Sequence, residues 1–129
     1  MTMFPFAHYQ DGRAAIDFLC DAYGFERHEV HEGEDGRIVH AELRNGASVY
    51  MLDSAGGADL GLRSPRELGA TTGGVYVVSE DVDAHYDRAR TAGAEIVREL
   101  ADTSYGSREY LARDPEGHLW SFGTYRPSV

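Results

Sequence analysis

Arg113-Asp114-Pro115-Glu116-Gly117-His118-Leu119-Trp120 is the stretch whose reading decides the fold. Pro115 pre-sets the backbone angle that a tight turn needs, and Gly117 tolerates a positive φ. Strand-like runs flank this turn, at 108–113 and 118–125. The chain therefore doubles back at residues 114–117. Working outward, residues 101–107 read as a loop holding Tyr105-Gly106-Ser107, and 94–100 read as extended. Before them, Asp81 can cap a helix that carries Val82, Tyr86 and Ala89 and stops at Gly93. Gly74 to Val78 is a strand of valine and tyrosine. Residues 74–125 thus read as β-α-β-β-β.

The first half repeats this plan. Residues 3–9 read as a strand, and Asp11 as a helix cap. Ile16, Leu19, Cys20 and Tyr23 recur at helical spacing before the stop at Gly24. Residues 25–32 look extended, and 33–36 are turn chemistry. Residues 37–43 alternate, with Ile38, His40 and Glu42 on one face and Val39, Ala41 and Leu43 on the other. Asn45-Gly46 closes a hairpin into 47–52. Asp11 matches Asp81 and Ala14 matches Ala84 at an offset of 70, while Gly46 matches Gly117 at an offset of 71. A repeat of this length dictates architecture. The expectation is an α+β fold in which two βαβββ repeats form a curved mixed sheet. It is one domain over 1–129, with half 1 at about 3–52, a linker at 53–73 and half 2 at about 74–125. Within the linker, Ser64-Pro65-Arg66-Glu67 has the chemistry of a capped helical turn.

Bulk properties exclude several classes. Apolar residues make up 42% of 129, enough for a core. The formal charge of −10, with no basic cluster, would repel a phosphate backbone, so no nucleic-acid partner is expected. A cationic or neutral ligand is easier to accept than an anion. One cysteine, Cys20, allows neither an intrachain disulfide nor a thiolate zinc cluster. The start has no signal-peptide pattern, and no segment approaches the ~20 apolar residues that cross a membrane. A cytoplasmic protein without a membrane partner is the expectation.

The second half carries a resemblance. Ser79-Glu80-Asp81-Val82-Asp83, the run from Arg88 to Ala94, and Arg113 to Trp120 resemble the glyoxalase/bleomycin-resistance/dioxygenase (vicinal oxygen chelate) superfamily. An Asp-Pro-(Asp/Glu)-Gly turn before the last strand is its most recognisable signature, and the likeness spans nearly the whole chain. Metal-dependent members place His or Glu on the first and last strand of each half. In the register of the repeat, those places fall at Phe4, Tyr50, Gly74 and Ser121. Phe and Gly offer no side-chain donor, and neutral Tyr and Ser are poor ones. The resemblance implies the fold, while these residues imply no tightly bound divalent metal and no cofactor. It also implies a homodimer, since halves that share a cavity often come from different chains.

Alternation then nominates a pocket lining. Phe4, Phe6 and His8 share a face of the first strand, and Tyr50 faces the same way from the fourth. Tyr76 and Ser121 are their counterparts in the second half. Such a lining can also pack a solid core, but Gly74, Ser121 and Gly123 leave room. His8, His40 and Glu42 are candidates for a polar cluster or an acid/base pair. Tyr105 and Arg108 flank a loop that can cover the pocket mouth, where Arg108 can meet a ligand carboxylate. Trp120, of opposite parity to Ser121, is assigned to the core. No residue can be named as catalytic. The leading reading is a small-molecule-binding protein of the glyoxalase/bleomycin-resistance type that sequesters a drug or metabolite. The alternatives are a metal-dependent glyoxalase-like lyase/isomerase or dioxygenase, and a metal-free enzyme.

Overall fold

The computed structural model describes residues 1–129, except for the side chain of Ala58. Its first half runs β1 (Phe6–His8), α1 (Gly12–Tyr23), β2 (Glu26–Glu32), β3 (Ile38–Asn45) and β4 (Ser48–Asp53). The second runs β5 (Gly74–Val78), α3 (Val82–Thr91), β6 (Glu95–Asp102), β7 (Arg108–Arg113) and β8 (Leu119–Gly123). Between them lies α2 (Pro65–Leu68), with the capping box that Ser64 and Glu67 imply. The molecule is two βαβββ modules. Each forms its own four-stranded mixed sheet, ordered β1-β4-β3-β2 and β5-β8-β7-β6. The helix after the first strand carries the chain across its sheet, so β1 lies parallel to β4 and β5 parallel to β8. All other pairings are antiparallel.

Local chemistry explains both long helices. Asp11 and Asp81 accept from the backbone N–H of Ala14 and Ala84, three residues on. Gly24 ends α1 in the left-handed conformation. The apolar stripe of α1, including Ile16, Leu19 and Tyr23, faces the core. Gly12 is required by packing: a Cβ there would lie 2.7 Å from Cγ1 of Ile38.

Three sequence expectations need correction. The first strand is shorter than 3–9: Phe6–His8 pairs in register with Met51–Asp53 of β4, flanked by hydrogen bonds from Met51 N–H to the Pro5 carbonyl and from Tyr9 N–H to the Asp53 carbonyl. The alternation in β3 breaks at Val39. The pairing slips between His31 and Glu32, so Ile38 turns into the core and Val39 is exposed. Strand β6 also runs on to Asp102, into the segment read as loop.

The turn at 114–117 clasps the two halves together. The Glu116 carboxylate accepts from the backbone N–H of Gln10 at 2.5 Å and of Asp11 at 2.9 Å, at the entrance to α1. Oδ2 of the buried Asp114 accepts from the Tyr9 hydroxyl at 2.6 Å and the Trp120 indole at 3.1 Å. Its other oxygen accepts from the backbone of Glu116 and His118. At the far side of the core, Arg88 on α3 donates to the carbonyls of Asp21 and Cys20. His85 Nε2 meets the Tyr23 carbonyl at 2.9 Å. Tyr23, Trp120 and Phe122 pack between these clasps.

Candidate functional site

One face of each sheet builds the common core, and the other stays open. On the first sheet the open face carries Phe6 beside Met51 and His8 beside Asp53, with His40 and Glu42 on the neighbouring strand. On the second it carries Tyr76 beside Ser121 and Val78 beside Gly123, with Leu111 and Glu109 alongside. The ladders fix these neighbours, since directly paired residues point the same way.

This register moves one expected site residue. Phe6 pairs with Met51, whereas Tyr76 pairs with Ser121, so Met51 and not Tyr50 is the counterpart of Ser121. The turn between β7 and β8 is one residue longer than that between β3 and β4: Leu43 pairs with Tyr50, but Ala112 pairs with Trp120. Matching the two turn glycines therefore overshot by one. A one-residue slip sends a side chain to the opposite face. Tyr50 sits in the core against Trp120, 4.8 Å between ring centroids, and its hydroxyl lies 2.9 Å from that of Tyr9. Burial raises the pKa of both hydroxyls, and for Tyr9 the neighbouring Tyr50 and Asp114 add to the effect. Trp120 is core, as its parity implies.

The other candidates separate. His8 Nδ1 bonds Asp53 at 2.8 Å and does not join His40. His40 Nε2 lies 2.8 Å from Glu42. Among the described residues, no group of three His, Cys, Asp or Glu is arranged to hold a metal ion. Arg108 makes two exposed ion pairs within the chain. It lies 2.8 Å from Asp83 and 3.1 Å from Asp102, tying β7 to the start of α3 and lowering the Asp83 pKa. Tyr105 is exposed and donates to Glu109 at 2.6 Å. Phe4 and Phe6 are exposed, large and apolar.

Two cavities open along the seam between the modules. One, of about 790 Å³, lies between the end of the β3–β4 hairpin and β5, against Phe25, Leu43, Tyr50, Val77 and Trp120, with His85 at its wall. The second, of about 700 Å³, lies between Phe4–His8 and Gly74, and includes His118 and Arg63. Tyr50, Val75 and Trp120 border both. These walls are aromatic with a few polar points, the usual composition of a small-molecule site. His85 is half-buried. Its Nε2 donates to the Tyr23 carbonyl, so Nδ1 accepts from the Tyr110 hydroxyl at 2.6 Å. Burial lowers its pKa. Sequence reasoning missed Met51 and Glu109 on the open faces and the bonding of His85. Parity counted within β7 would have put Glu109 on the open face, but nothing local marks it as special.

The model of the Glyoxalase/Bleomycin resistance protein/Dioxygenase superfamily matches residues 7–122. The chain belongs to that superfamily. TioX from Micromonospora sp. ML1 is 34% identical to this superfamily member, with a TM-score of 0.77 over 98% of this chain and 99% of that one. An uncharacterised protein of Mycobacterium bovis is 36% identical over 124 residues, 92% of this chain and 80% of its own. FosX from Listeria monocytogenes, solved with Mn(II) and sulfate, shares the superfamily fold at 14% identity, with a TM-score of 0.72 over 98% and 90% of the two chains. The register of the two sheets replaces one of the four places expected from the resemblance, so that the set reads Phe4, Met51, Gly74 and Ser121. Among the described residues, no helix is long and apolar enough to cross a membrane.

Proposed function

We propose that the protein binds a small molecule without the help of a divalent metal, as a homodimer in the cytoplasm. The observation that carries this reading is the set Phe4, Met51, Gly74 and Ser121. A thioether and a hydroxyl are poor ligands for hard divalent ions, and phenyl and hydrogen are none. The FosX likeness concerns fold alone and brings no metal to this chain. Affinity must then come from shape, aromatic contact and hydrogen bonds. The aromatic seam and the open sheet faces offer all three.

The dimer follows from what one chain leaves uncovered. Phe6 is 64% exposed on an edge strand, and Phe4 45%. A second copy laid two-fold about this edge would set the open face of one first half against that of the partner's second half. Such a cup would enclose a ligand between Phe6, Met51, Tyr76 and Ser121.

The His8–Asp53 pair favours a second reading, as a metal-free enzyme. With Nδ1 held by the carboxylate, Nε2 is the nitrogen left for proton transfer. The binding reading is tested by expressing the protein with Zn²⁺, Ni²⁺, Mn²⁺ or Fe²⁺, desalting it and measuring metal per chain. A thermal-shift screen of metabolites and drugs follows, with sedimentation for the oligomer. The expected result is a near-zero metal ratio, a dimer at micromolar concentration and at least one stabilising ligand. One ion per chain, lost in Ser121→Ala, would end the metal-free reading. Turnover of a screened compound that is lost in His8→Gln would favour the enzyme.

A further inference from the structure

We propose that the open face of the second module carries a recognition box for an organic cation, formed by Tyr76, Tyr105 and Tyr125 around the Glu109 carboxylate. The inference rests on the small-molecule-binding reading and gives its ligand a chemical class.

Tyr125 is the shared wall. Its ring centroid lies 6.3 Å from that of Tyr76 and 6.4 Å from that of Tyr105, at interplanar angles of 58° and 87°. The three rings thus face different directions instead of stacking. Tyr105 is 65% exposed and Tyr125 50%, an unusual display for large aromatic side chains. Hydrogen bonds hold the group in place. The Tyr105 hydroxyl donates to Glu109, the Tyr76 hydroxyl donates to the Tyr125 carbonyl at 2.7 Å, and the Ser107 hydroxyl both donates to Glu109 at 2.9 Å and accepts from the Tyr125 N–H at 3.1 Å. Walls fixed in advance lose little freedom when a ligand arrives.

The floor is equally specific. A Cβ on Gly123 would come within 2.5 Å of Cγ of Glu109 and 2.9 Å of the Tyr76 hydroxyl oxygen. With glycine at this place the carboxylate lies beside the ring without having to shift.

The charge of Glu109 is left without a counter-ion. Among the described residues no Arg or His pairs with it. Neighbouring Arg108 pairs with Asp83 and Asp102, and Arg126 with Glu80 at 3.3 Å. The field of this carboxylate reaches the rings: its acceptance from Tyr105 raises the pKa of that hydroxyl, and it adds to the effect of burial on Tyr76. Aromatic faces attract cations, and an unneutralised carboxylate beside them adds Coulomb attraction. A divalent metal is the wrong occupant, because one carboxylate and neutral phenols make a poor ligand set. A quaternary or protonated amine on a planar body fits the chemistry, and the net charge of −10 favours it over an anion.

The test compares 3-(trimethylammonio)phenol with its neutral isostere 3-tert-butylphenol by titration calorimetry on the full chain. At low salt the cation should bind about tenfold or more tightly than the isostere, in keeping with ring and carboxylate contributions of roughly 1–2 kcal/mol. Glu109→Gln and Tyr125→Leu should each remove most of that ratio, and Tyr125→Phe, which keeps the ring, should preserve it. Unchanged thermal melting of the variants excludes unfolding as the cause. Equal binding of cation and isostere, or a ratio unaffected by Glu109→Gln, overturns the cation box and leaves the binding-protein reading standing. If neither probe binds, the box is likewise overturned. Only a screen that also finds no neutral or anionic ligand overturns the binding-protein reading with it.

Discussion

The coupling between Tyr9 and Asp114 should carry a large share of what holds the two modules together. Tyr9 comes from the first module and Asp114 from the second, and both are buried, Tyr9 at 0% and Asp114 at 4% exposure. Asp114→Asn keeps the shape but places an amide where Oδ2 or Oδ1 now accepts two donors. At least one buried donor then loses its acceptor, which costs about 1–3 kcal/mol. Tyr9→Phe removes one donor and leaves the Tyr50 hydroxyl without its partner, at a cost of about 1–2 kcal/mol. In the double variant the lost Tyr9–Asp114 bond is counted once, so the effects should fall short of additivity by roughly 1–2 kcal/mol. Folded domains of this size retain about 5–15 kcal/mol, so each single variant should still fold and give a measurable urea transition. The assay is equilibrium urea unfolding of wild type, both singles and the double, followed by Trp120 fluorescence and by far-UV circular dichroism. Additivity within about 0.5 kcal/mol would refute the claim that this bond joins the modules.

Two further outcomes follow. The Tyr23 hydroxyl is buried with no hydrogen-bond partner among the described residues, so Tyr23→Phe should raise stability by about 1 kcal/mol in the same urea assay, and a loss of that size would show that a partner exists. Burial lowers the folded-state pKa of His85, so the unfolded chain takes up the proton first. The stability that neutral His85 contributes is full above the ordinary value of about 6.5 and is lost as the pH falls from there through the folded value. The wild-type-minus-variant difference for His85→Gln should therefore shrink on acidification below pH ~6.5, and a difference constant between pH 5 and 8 would contradict this.

The fold was legible in the sequence because its signals are local. Asp11, Asp81 and Ser64 announce helix starts by their own side chains, and Asn45-Gly46 and Asp114 to Gly117 announce reversals. Where a signal depended on a partner strand, the reading slipped. Val39 has nothing in its neighbourhood to mark the bulge opposite β2, and nothing within residues 3–9 marks how few of them pair in register with β4. The site was less legible for the same reason. Phe6, Tyr76 and Ser121 fall on open faces as parity implies, whereas one extra residue in a distant turn moves Tyr50 off the open face to the core side, where it still borders both cavities. Arg108 resembles a ligand clamp in sequence, but Asp83, far along the chain, already occupies it.

The signature turn makes the same point from the other side. Its Pro and Gly explain why the chain reverses, but not why Asp and Glu stand there. Asp114 and Glu116 are there for the other module. One takes the Tyr9 hydroxyl, and the other satisfies the backbone N–H groups of Gln10 and Asp11 that a helix entrance leaves without acceptors. Both carboxylates are buried in a clasp between modules, which places the turn in the architecture and away from ligand chemistry. The proposed ligand contacts lie outside that clasp: Met51 and Phe6 on one open face, and Glu109 with its tyrosines on the other. A shared turn motif can therefore mark the superfamily while saying nothing about which molecule a given member holds.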